Sequence, residues 1–198
     1  MRYDVLIAGV GGQGTILASR ILAAAAILKG EFARTGETIG MSQRGGCVVS
    51  NVRLSGEAVS PYIPAAQSDL LLGFELAETA RSMTRLKPGG AVVVNTQVIK
   101  PVSLSLGIGC YDEAALKEYI EKNSGTSVFI DGYGLALAAG SAKAVNIVLL
   151  GAACGAALLP FDRAELEQTI QQSVAPRFVE MNLEAFSSGY AVGSAHHG

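Results

Sequence analysis

The first 28 residues restrict the possible fold more than any other part of the chain. Residues 3–8 form a short apolar run, 9–14 form a glycine-rich turn, and 15–28 are rich in Ala, Leu and Ile. An apolar run that stops at glycine is typical of a buried strand, and the residues after the turn are good helix formers with almost no charge. The segment therefore predicts a strand, a tight turn and a helix that is covered on most sides.

The same alternation continues along the chain. Further strands are predicted at 47–54, 69–73, 91–95 and 127–130, and further helices at 74–86, 112–122, 144–159 and after Asp162. Strands that alternate with helices favour an α/β fold with a mostly parallel, Rossmann-like sheet in three layers and helices on both faces. We expect one domain over residues 1–187 and a flexible tail, rich in Gly, Ser and Ala, over 188–198.

Residues 31–46 interrupt this pattern because they are polar, dense in glycine and without clean periodicity. They predict a long loop with one short extended piece at 32–35, and loops of this length in compact domains tend to be functional. The strand at 47–54 is then expected to pair with Ala58 and Val59 in a small hairpin, since Ser55-Gly56 reads as a turn.

Composition excludes several classes of protein. The chain has 198 residues, of which 49% are apolar and 16% charged, with a net charge of −2. A buried core is therefore expected, without a basic surface for nucleic acid or anionic membrane. The apolar stretch at 145–159 is shorter than the roughly 20 residues of a membrane span. It predicts a buried helix whose small residues pack closely against a neighbouring element. We expect the protein to be cytoplasmic.

Cysteine and histidine are too few and too scattered for a metal centre. Cys47, Cys110 and Cys154 form no closely spaced pair, and both histidines lie at the carboxyl terminus. A structural zinc site or an iron–sulfur cluster held by this chain alone is therefore excluded. Free thiols in a reducing compartment are expected. We predict that Cys47 is buried.

The glycine turn is the first candidate site. Gly9-Val10-Gly11-Gly12-Gln13-Gly14 satisfies the GxGxxG pattern between a strand and a helix, where backbone N–H groups and the helix dipole favour an anion. A dinucleotide site also needs an acidic residue at the end of a strand about 20 residues later. Glu31 and Glu37 are available, but no apolar strand ends at either. The turn is thus a dinucleotide site, an anion or partner contact, or only a tight turn. Its candidate residues are Gly9, Gly11, Gly12, Gln13, Gly14 and Thr15.

The loop that follows is the second candidate site. Arg44 can hold a carboxylate or phosphate through two hydrogen bonds, and Met41 is typical of a core gap or a subunit interface. Alternatively, Glu37 pairs with Arg34 or Arg44 and only holds the loop shut. Candidate residues for a substrate cleft or partner interface are Glu37, Gly40, Met41, Gln43, Arg44, Gly45 and Gly46. Glu78 and Arg81 are spaced for a surface ion pair, and no residue is predicted to be catalytic.

Together these loops carry a family resemblance. The glycine turn is followed by the loop at 36–46, by Val52-Arg53 and by Ser60-Pro61. This order resembles the gamma-type subunits of 2-oxoacid:ferredoxin oxidoreductases, and most of all the beta subunits of indolepyruvate ferredoxin oxidoreductases. Further matches are Asp69 to Glu75, Glu78, Arg81, Asn146, Leu150 to Ala152, Asn182 and Ala185-Phe186.

The resemblance implies a subunit of a heteromeric enzyme that is not active alone. Such enzymes convert a 2-oxoacid, here an arylpyruvate such as indolepyruvate, and coenzyme A to an acyl-CoA and CO2 while reducing two ferredoxins. The chemistry requires thiamine diphosphate and iron–sulfur clusters. This chain has no Gly-Asp-Gly thiamine diphosphate signature and too few cysteines. We therefore expect no cofactor on it and both cofactors on a larger alpha subunit, with the 37–46 loop facing that partner or a shared cleft.

Two other classes stay open from the residues alone. A free-standing Rossmann oxidoreductase would bind NAD(P) as an isolated chain. A non-enzymatic scaffold with an anion-binding turn would bind a partner without affecting catalysis.

Overall fold

The computed structural model describes residues 2–40, 46–57, 60–99 and 111–196, which form six strands and seven α-helices. The strands are β1 Arg2–Val10, β2 Phe32–Ile39, β3 Cys47–Ser55, β4 Ser68–Gly73, β5 Leu86–Asn95 and β6 Thr126–Ile130. The helices are α1 Thr15–Leu28, α2 Leu76–Ser82, α3 Glu113–Lys122, α4 Gly132–Ala138, α5 Val145–Gly155, α6 Arg163–Ser173 and α7 Val179–Ala195.

All six strands form one sheet in the order β2-β3-β1-β4-β5-β6. Neighbouring strands are parallel from β1 to β6, whereas β3 is antiparallel to both β1 and β2. Five strands therefore share one direction, and β3 alone runs against them. The predicted mostly parallel α/β sheet is confirmed, and its hairpin consists of β2 and β3.

Helices cover both faces of the sheet. Along β1, Val5 and Ile7 lie in one core cluster together with residues of α1, α4, α5, α6 and α7. Leu6 and Ala8 lie in a second cluster, with Leu76 of α2 and Ile120 of α3. This follows from the alternation of side chains along a strand. The predicted three-layer arrangement is confirmed.

The helices that follow the two halves of the sheet pack on opposite faces of it. The helix after β1 packs on the first face and the helix after β4 packs on the second. In open α/β sheets such a change of side leaves a crevice at the carboxyl ends of the two strands, where ligands commonly bind. In this chain the crevice lies between the glycine turn and Phe74.

The extended piece predicted at 32–35 is confirmed, whereas the loop predicted for 36–39 is wrong, because the extended structure continues over residues 32–39. These residues form β2, which pairs with β3 along its whole length. Most of β2 is exposed because it lies at the edge of the sheet, and an edge strand lacks the alternation by which strands are detected in sequence. The predicted partner of β3, Ala58-Val59, lies outside the described residues.

The prediction of a flexible tail from residue 188 is also wrong, because α7 continues to Ala195. Gly189 and Gly193 of α7 lie against the backbone of α5, and Gly151 and Gly155 of α5 lie against the backbone of α7. A Cβ atom added at any of these four glycines would lie 2.0–2.2 Å from a carbonyl oxygen of the other helix. The predicted close packing of the 145–159 helix is thus confirmed, and α7 is its neighbour.

A buried ion pair fixes the amino end of β1. The guanidinium of Arg53 donates from Nε to Asp4 Oδ1 at 2.9 Å and from Nη2 to Oδ2 at 3.1 Å. Its Nη1 donates to the carbonyl oxygens of Ser60 and Tyr62. Arg53 and Ser60, which belong to the resemblance motif, therefore hold the fold together and lie away from the carboxyl edge of the sheet.

Candidate functional site

Gln13 closes the crevice between β1 and β4. Its Oε1 accepts a hydrogen bond from the backbone N–H of Val10 at 2.8 Å, and its Nε2 donates to the carbonyl oxygen of Phe74 at 2.9 Å. The amide thus joins the end of β1 to the residue after β4, in the place where a Rossmann protein holds its dinucleotide.

Asn95 extends this closure to the next strand. Its Nδ2 donates to the same carbonyl of Phe74 at 3.1 Å, and its Oδ1 accepts from the backbone N–H of Gly132 at 3.0 Å. Two side-chain amides therefore link the carboxyl ends of β1, β4 and β5 to the start of α4. A fully hydrogen-bonded network of this kind holds the edge in one arrangement.

Two glycines of the turn, Gly9 and Gly14, are required by close contacts. A Cβ at Gly9 would lie 2.7 Å from Phe74 Cβ and 2.8 Å from Gln13 Oε1. Gly14 precedes α1 with φ of 84°, in the left-handed region that favours glycine. A Cβ there would lie 2.7 Å from Asn146 Nδ2, which donates to the Gly14 carbonyl at 3.3 Å. Asn146, another residue of the resemblance, therefore positions the turn.

The outer side of the turn is open. A cavity of about 390 Å³ lies between the turn, the start of α1, the end of β2 and the start of β3. The helix begins there without a side-chain cap and without an acidic residue in its first turn. Its backbone N–H groups can face an anion. The residues that line the cavity are Gly11, Gly12, Gly14, Thr15, Ile16, Ile39 and Val48.

The two candidate loops meet at this edge. The backbone N–H of Gly11 donates to the carbonyl of Gly46 at 2.9 Å, and that of Gly40 donates to Cys47 at 2.9 Å. The structure therefore brings Gly40 and Gly46 next to the glycine turn. Met41, Gln43, Arg44 and Gly45 lie outside the described residues.

Glu37 is exposed on β2 and faces α1, where its Oε1 accepts a 3.5 Å contact from the hydroxyl of Ser19. Arg34 lies three positions earlier on the same strand and so points to the opposite face. The suggested pair of Glu37 with Arg34 is therefore wrong. Because β3 lies between β1 and β2, Glu37 also does not border the turn as the ribose-binding acid of a dinucleotide site would.

Glu75 and Glu78 lie at the same edge, and of the two the sequence predicted a place only for Glu78, in a surface ion pair with Arg81. Glu75 is buried, begins α2 by accepting from the N–H of Glu78 at 2.9 Å, and accepts from the Tyr111 hydroxyl at 2.5 Å. Burial and the Glu75 carboxylate raise the pKa of Tyr111. The Glu78–Arg81 ion pair is confirmed, but the Glu78 side chain is only 9% exposed against 63% for Arg81. The apolar run of β4, which leads directly into α2, could have indicated that Glu78 is buried.

Cys47 borders this acidic pair, and the prediction that it is buried is wrong because it is exposed at the start of β3. Although the residue is exposed, neighbouring atoms shield its thiol from part of the solvent. This desolvation, and secondly the nearby Glu78 carboxylate, raises the pKa of the thiol to about 11. The thiol therefore stays protonated near neutral pH and is a poor nucleophile.

Cofactor ligands can be tested against the described part of the chain. It contains no cluster of three or more His, Cys, Asp or Glu residues that could hold a metal ion. Cys154 is buried in α5, far along the chain from exposed Cys47, whereas an iron–sulfur cluster is held by four close thiolates. The residues present do not fit such a cluster. No helix in the described ranges is long and apolar enough to cross a bilayer.

These features define a Rossmann-like α/β protein in which the amides of Gln13 and Asn95 bridge the carboxyl ends of β1, β4 and β5. The chain belongs to the pyruvate ferredoxin/flavodoxin oxidoreductase family, whose model matches residues 4–192. The predicted family resemblance is therefore confirmed.

Similar proteins span nearly the whole chain. It is 36% identical over 191 residues to the indolepyruvate oxidoreductase subunit IorB of Thermococcus kodakarensis, covering 94% of both chains. It is 29% identical to the 2-oxoglutarate synthase subunit KorC of Methanothermobacter marburgensis, covering 96% of this chain and 95% of that one. The crystal structure of a keto/oxoacid ferredoxin oxidoreductase gamma subunit from Geobacter sulfurreducens superposes with a TM-score of 0.72 at 27% identity, covering 98% and 99% of the two chains.

Proposed function

We propose that this chain is the smaller subunit of a heteromeric arylpyruvate:ferredoxin oxidoreductase. The reaction joins the acyl group of a 2-oxoacid to the sulfur of coenzyme A, releases its carboxylate as CO2 and passes two electrons to two ferredoxins. The observation that carries the proposal is full-length similarity to oxidoreductase subunits. Identity is higher to the indolepyruvate subunit, at 36%, than to the 2-oxoglutarate subunit, at 29%, which supports an aryl side chain on the substrate.

The catalytic cofactors are assigned to a larger partner subunit in the cytoplasm. Thiamine diphosphate supplies carbanion stabilisation, and iron–sulfur clusters accept the electrons. The described residues of this chain offer no metal-binding cluster, and its sequence has only three cysteines. This distribution supports a non-catalytic role in assembly and in shaping the active-site cleft.

We assign the carboxyl edge of the sheet to the contact with that partner. Glu37, Gly40 and Cys47 are exposed there, and Ile39 is 62% exposed beside the open turn. A single exposed apolar side chain is common on protein surfaces, so the assignment rests on the position of Ile39 in the open cavity beside the glycine turn. The remaining residues of the proposed interface are Met41, Gln43, Arg44, Gly45 and Gly46. Of the six predicted residues of the turn, Gly11, Gly12, Gly14 and Thr15 line the open cavity and would contact an anionic group of the partner or substrate. Gly9 and Gln13 would support the turn from its closed side.

The test uses the complex purified from its native source. We expect a brown assembly with a larger thiamine-dependent chain that reduces ferredoxin faster with indolepyruvate than with pyruvate or 2-oxoglutarate. Arg44→Ala should lower assembly or turnover at least about tenfold, the effect of losing one charged hydrogen bond. Arg20→Ala, at an exposed position of α1, is the matched control.

Three results would contradict the proposal. The isolated chain could decarboxylate a 2-oxoacid and reduce an acceptor by itself. The isolated chain could bind NAD(P) with micromolar affinity in a calorimetric titration, which would support a free-standing dehydrogenase despite the closed crevice. Turnover could also persist after this chain is removed from the complex, which would support a scaffold.

A further inference from the structure

A second cavity lies on the first face of the sheet, behind the glycine turn. Its volume is about 550 Å³, and it lies where the starts of α1, α5 and α7 meet the end of α6. Cavities of about 300–1,000 Å³ hold small organic ligands. Leu17, Val174, Phe178 and Met181 supply apolar surface to its lining.

The lining carries an unbalanced positive charge. Among the described residues, Lys143 is the one charged residue that lines the cavity, and no acidic side chain of these residues lines it. Within the described ranges, no carboxylate forms an ion pair with Lys143. An ammonium beside an apolar cavity favours an anionic ligand.

The polar groups around this lysine have defined directions. Ser141 lines the cavity, and its Oγ accepts the backbone N–H of Lys143 at 3.3 Å, which leaves its hydroxyl hydrogen available. Asn182 is 6% exposed, and its Nδ2 donates to the carbonyl of Phe178 at 2.7 Å. Its Oδ1 is therefore the group left to accept a hydrogen bond from a ligand. The two possible donors, Lys143 and Ser141, and the acceptor, Asn182, thus line the same cavity.

We propose that this cavity binds a small aromatic carboxylate. The carboxylate would accept hydrogen bonds from Lys143 and Ser141, and the ring would lie on Leu17 and Met181. One lysine without an arginine suits a single negative charge better than a polyphosphate. A ring N–H could donate to Asn182 Oδ1. The carboxylate follows from the lining of the cavity, whereas the choice of an aromatic ring rests on the proposed function.

The cavity is also linked to the candidate site. Asn146 lines it and, through its Nδ2, holds the carbonyl of Gly14 in the glycine turn. A ligand in the cavity would thus contact a residue that positions the turn. The proposal requires only that the ligand binds.

Calorimetric titration of the full chain with indole-3-acetate tests the proposal, with indole-3-acetamide as the neutral analogue. We expect the carboxylate to bind and the amide to bind at least about tenfold more weakly. Lys143→Gln should weaken binding of the carboxylate by a similar factor, whereas Lys117→Gln, on α3 at the opposite face, should leave it unchanged. Circular dichroism of each variant checks that it is folded.

A second variant blocks the cavity without changing its charge. Ala175 lines the cavity, is exposed, and has φ of −62° and ψ of 143°, a conformation that any L-residue adopts. Ala175→Phe should therefore fold and abolish binding. The proposal is wrong if indole-3-acetate fails to bind at millimolar concentration, if the amide binds equally well, or if Ala175→Phe binds like the unchanged chain.

Discussion

The contact between α5 and α7 gives the sharpest quantitative prediction, with Gly189→Ala as the perturbation. The added Cβ would lie 2.0 Å from the carbonyl oxygen of Val148 and 3.1 Å from the backbone nitrogen of Ala152. Both obstacles are backbone atoms of a fully buried helix, so no side chain can rotate away. The two helices must separate by roughly 1.5 Å to restore an ordinary van der Waals contact.

Two opposing terms set the magnitude. Alanine stabilises a helix interior over glycine by roughly 0.5–1 kcal/mol. Overpacking a well-packed core costs typically about 1–3 kcal/mol and occasionally more. The clash at Gly189 is with rigid backbone, so we take the upper part of that range and expect a net loss of about 2 kcal/mol. For a chain of this size that loss lowers Tm by roughly 4–8 °C.

Urea unfolding followed by circular dichroism at 222 nm measures this loss, because the chain has no tryptophan. Ser194→Ala, an exposed position on the same helix, should change stability by less than about 0.5 kcal/mol. Gly151→Ala separates the same two helices, so the double variant should lose less than the sum of the single losses. A stability of Gly189→Ala equal to or above that of the unchanged chain would refute the packing argument.

Further predictions concern the two ends of the sheet. Gln13→Ala should lower the free energy of unfolding by about 1–2 kcal/mol in urea titrations, since it removes two hydrogen bonds; an unchanged midpoint would contradict the bridging role. Arg53→Met should cost about 3–5 kcal/mol because it leaves Asp4 charged and buried, and adding Asp4→Leu should recover part of that loss; a double variant less stable than the single one argues against this account. Alkylation of Cys47, followed by peptide mass spectrometry, should accelerate as pH rises through about 11 rather than 9.0. Protonation of this thiol also stabilises the folded chain, because the pKa is higher in the folded than in the unfolded state. This contribution is fully present below pH 9.0 and is lost as pH rises through about 11. Glu78→Gln should lower this inflection, and no movement would exclude the carboxylate as a cause.

Local sequence patterns were sufficient to predict the helices and strands where the chain is buried on both faces. The first strand, its turn and α1 were predicted because apolar residues, glycines and helix formers follow in blocks. The strands at β4 and β5 were found for the same reason. The contact of Gly40 and Gly46 with the region of the glycine turn was not predicted from the sequence, and neither was the environment of Glu37.

Elements stabilised by distant contacts were missed. β2 is a strand because β3 holds it by backbone hydrogen bonds, and its exposed side chains carry no periodic signal. The end of α7 has the composition of a frayed tail, yet its glycines are what permits contact with α5. The burial of Glu75 and the exposure of Cys47 likewise depend on neighbours brought from elsewhere in the chain.

By itself, the sequence determined the class of fold, the strand–turn–helix unit and the shortage of cofactor ligands, because these depend on residue type and local order. Only the tertiary structure decided what the glycine turn can do. Gln13 lies within the turn in sequence, but its amide closes the crevice because β4 places the Phe74 carbonyl within hydrogen-bonding distance, 61 positions away. Hydrogen bonds act over about 3 Å regardless of separation along the chain, so a motif acquires its function from what the fold places beside it.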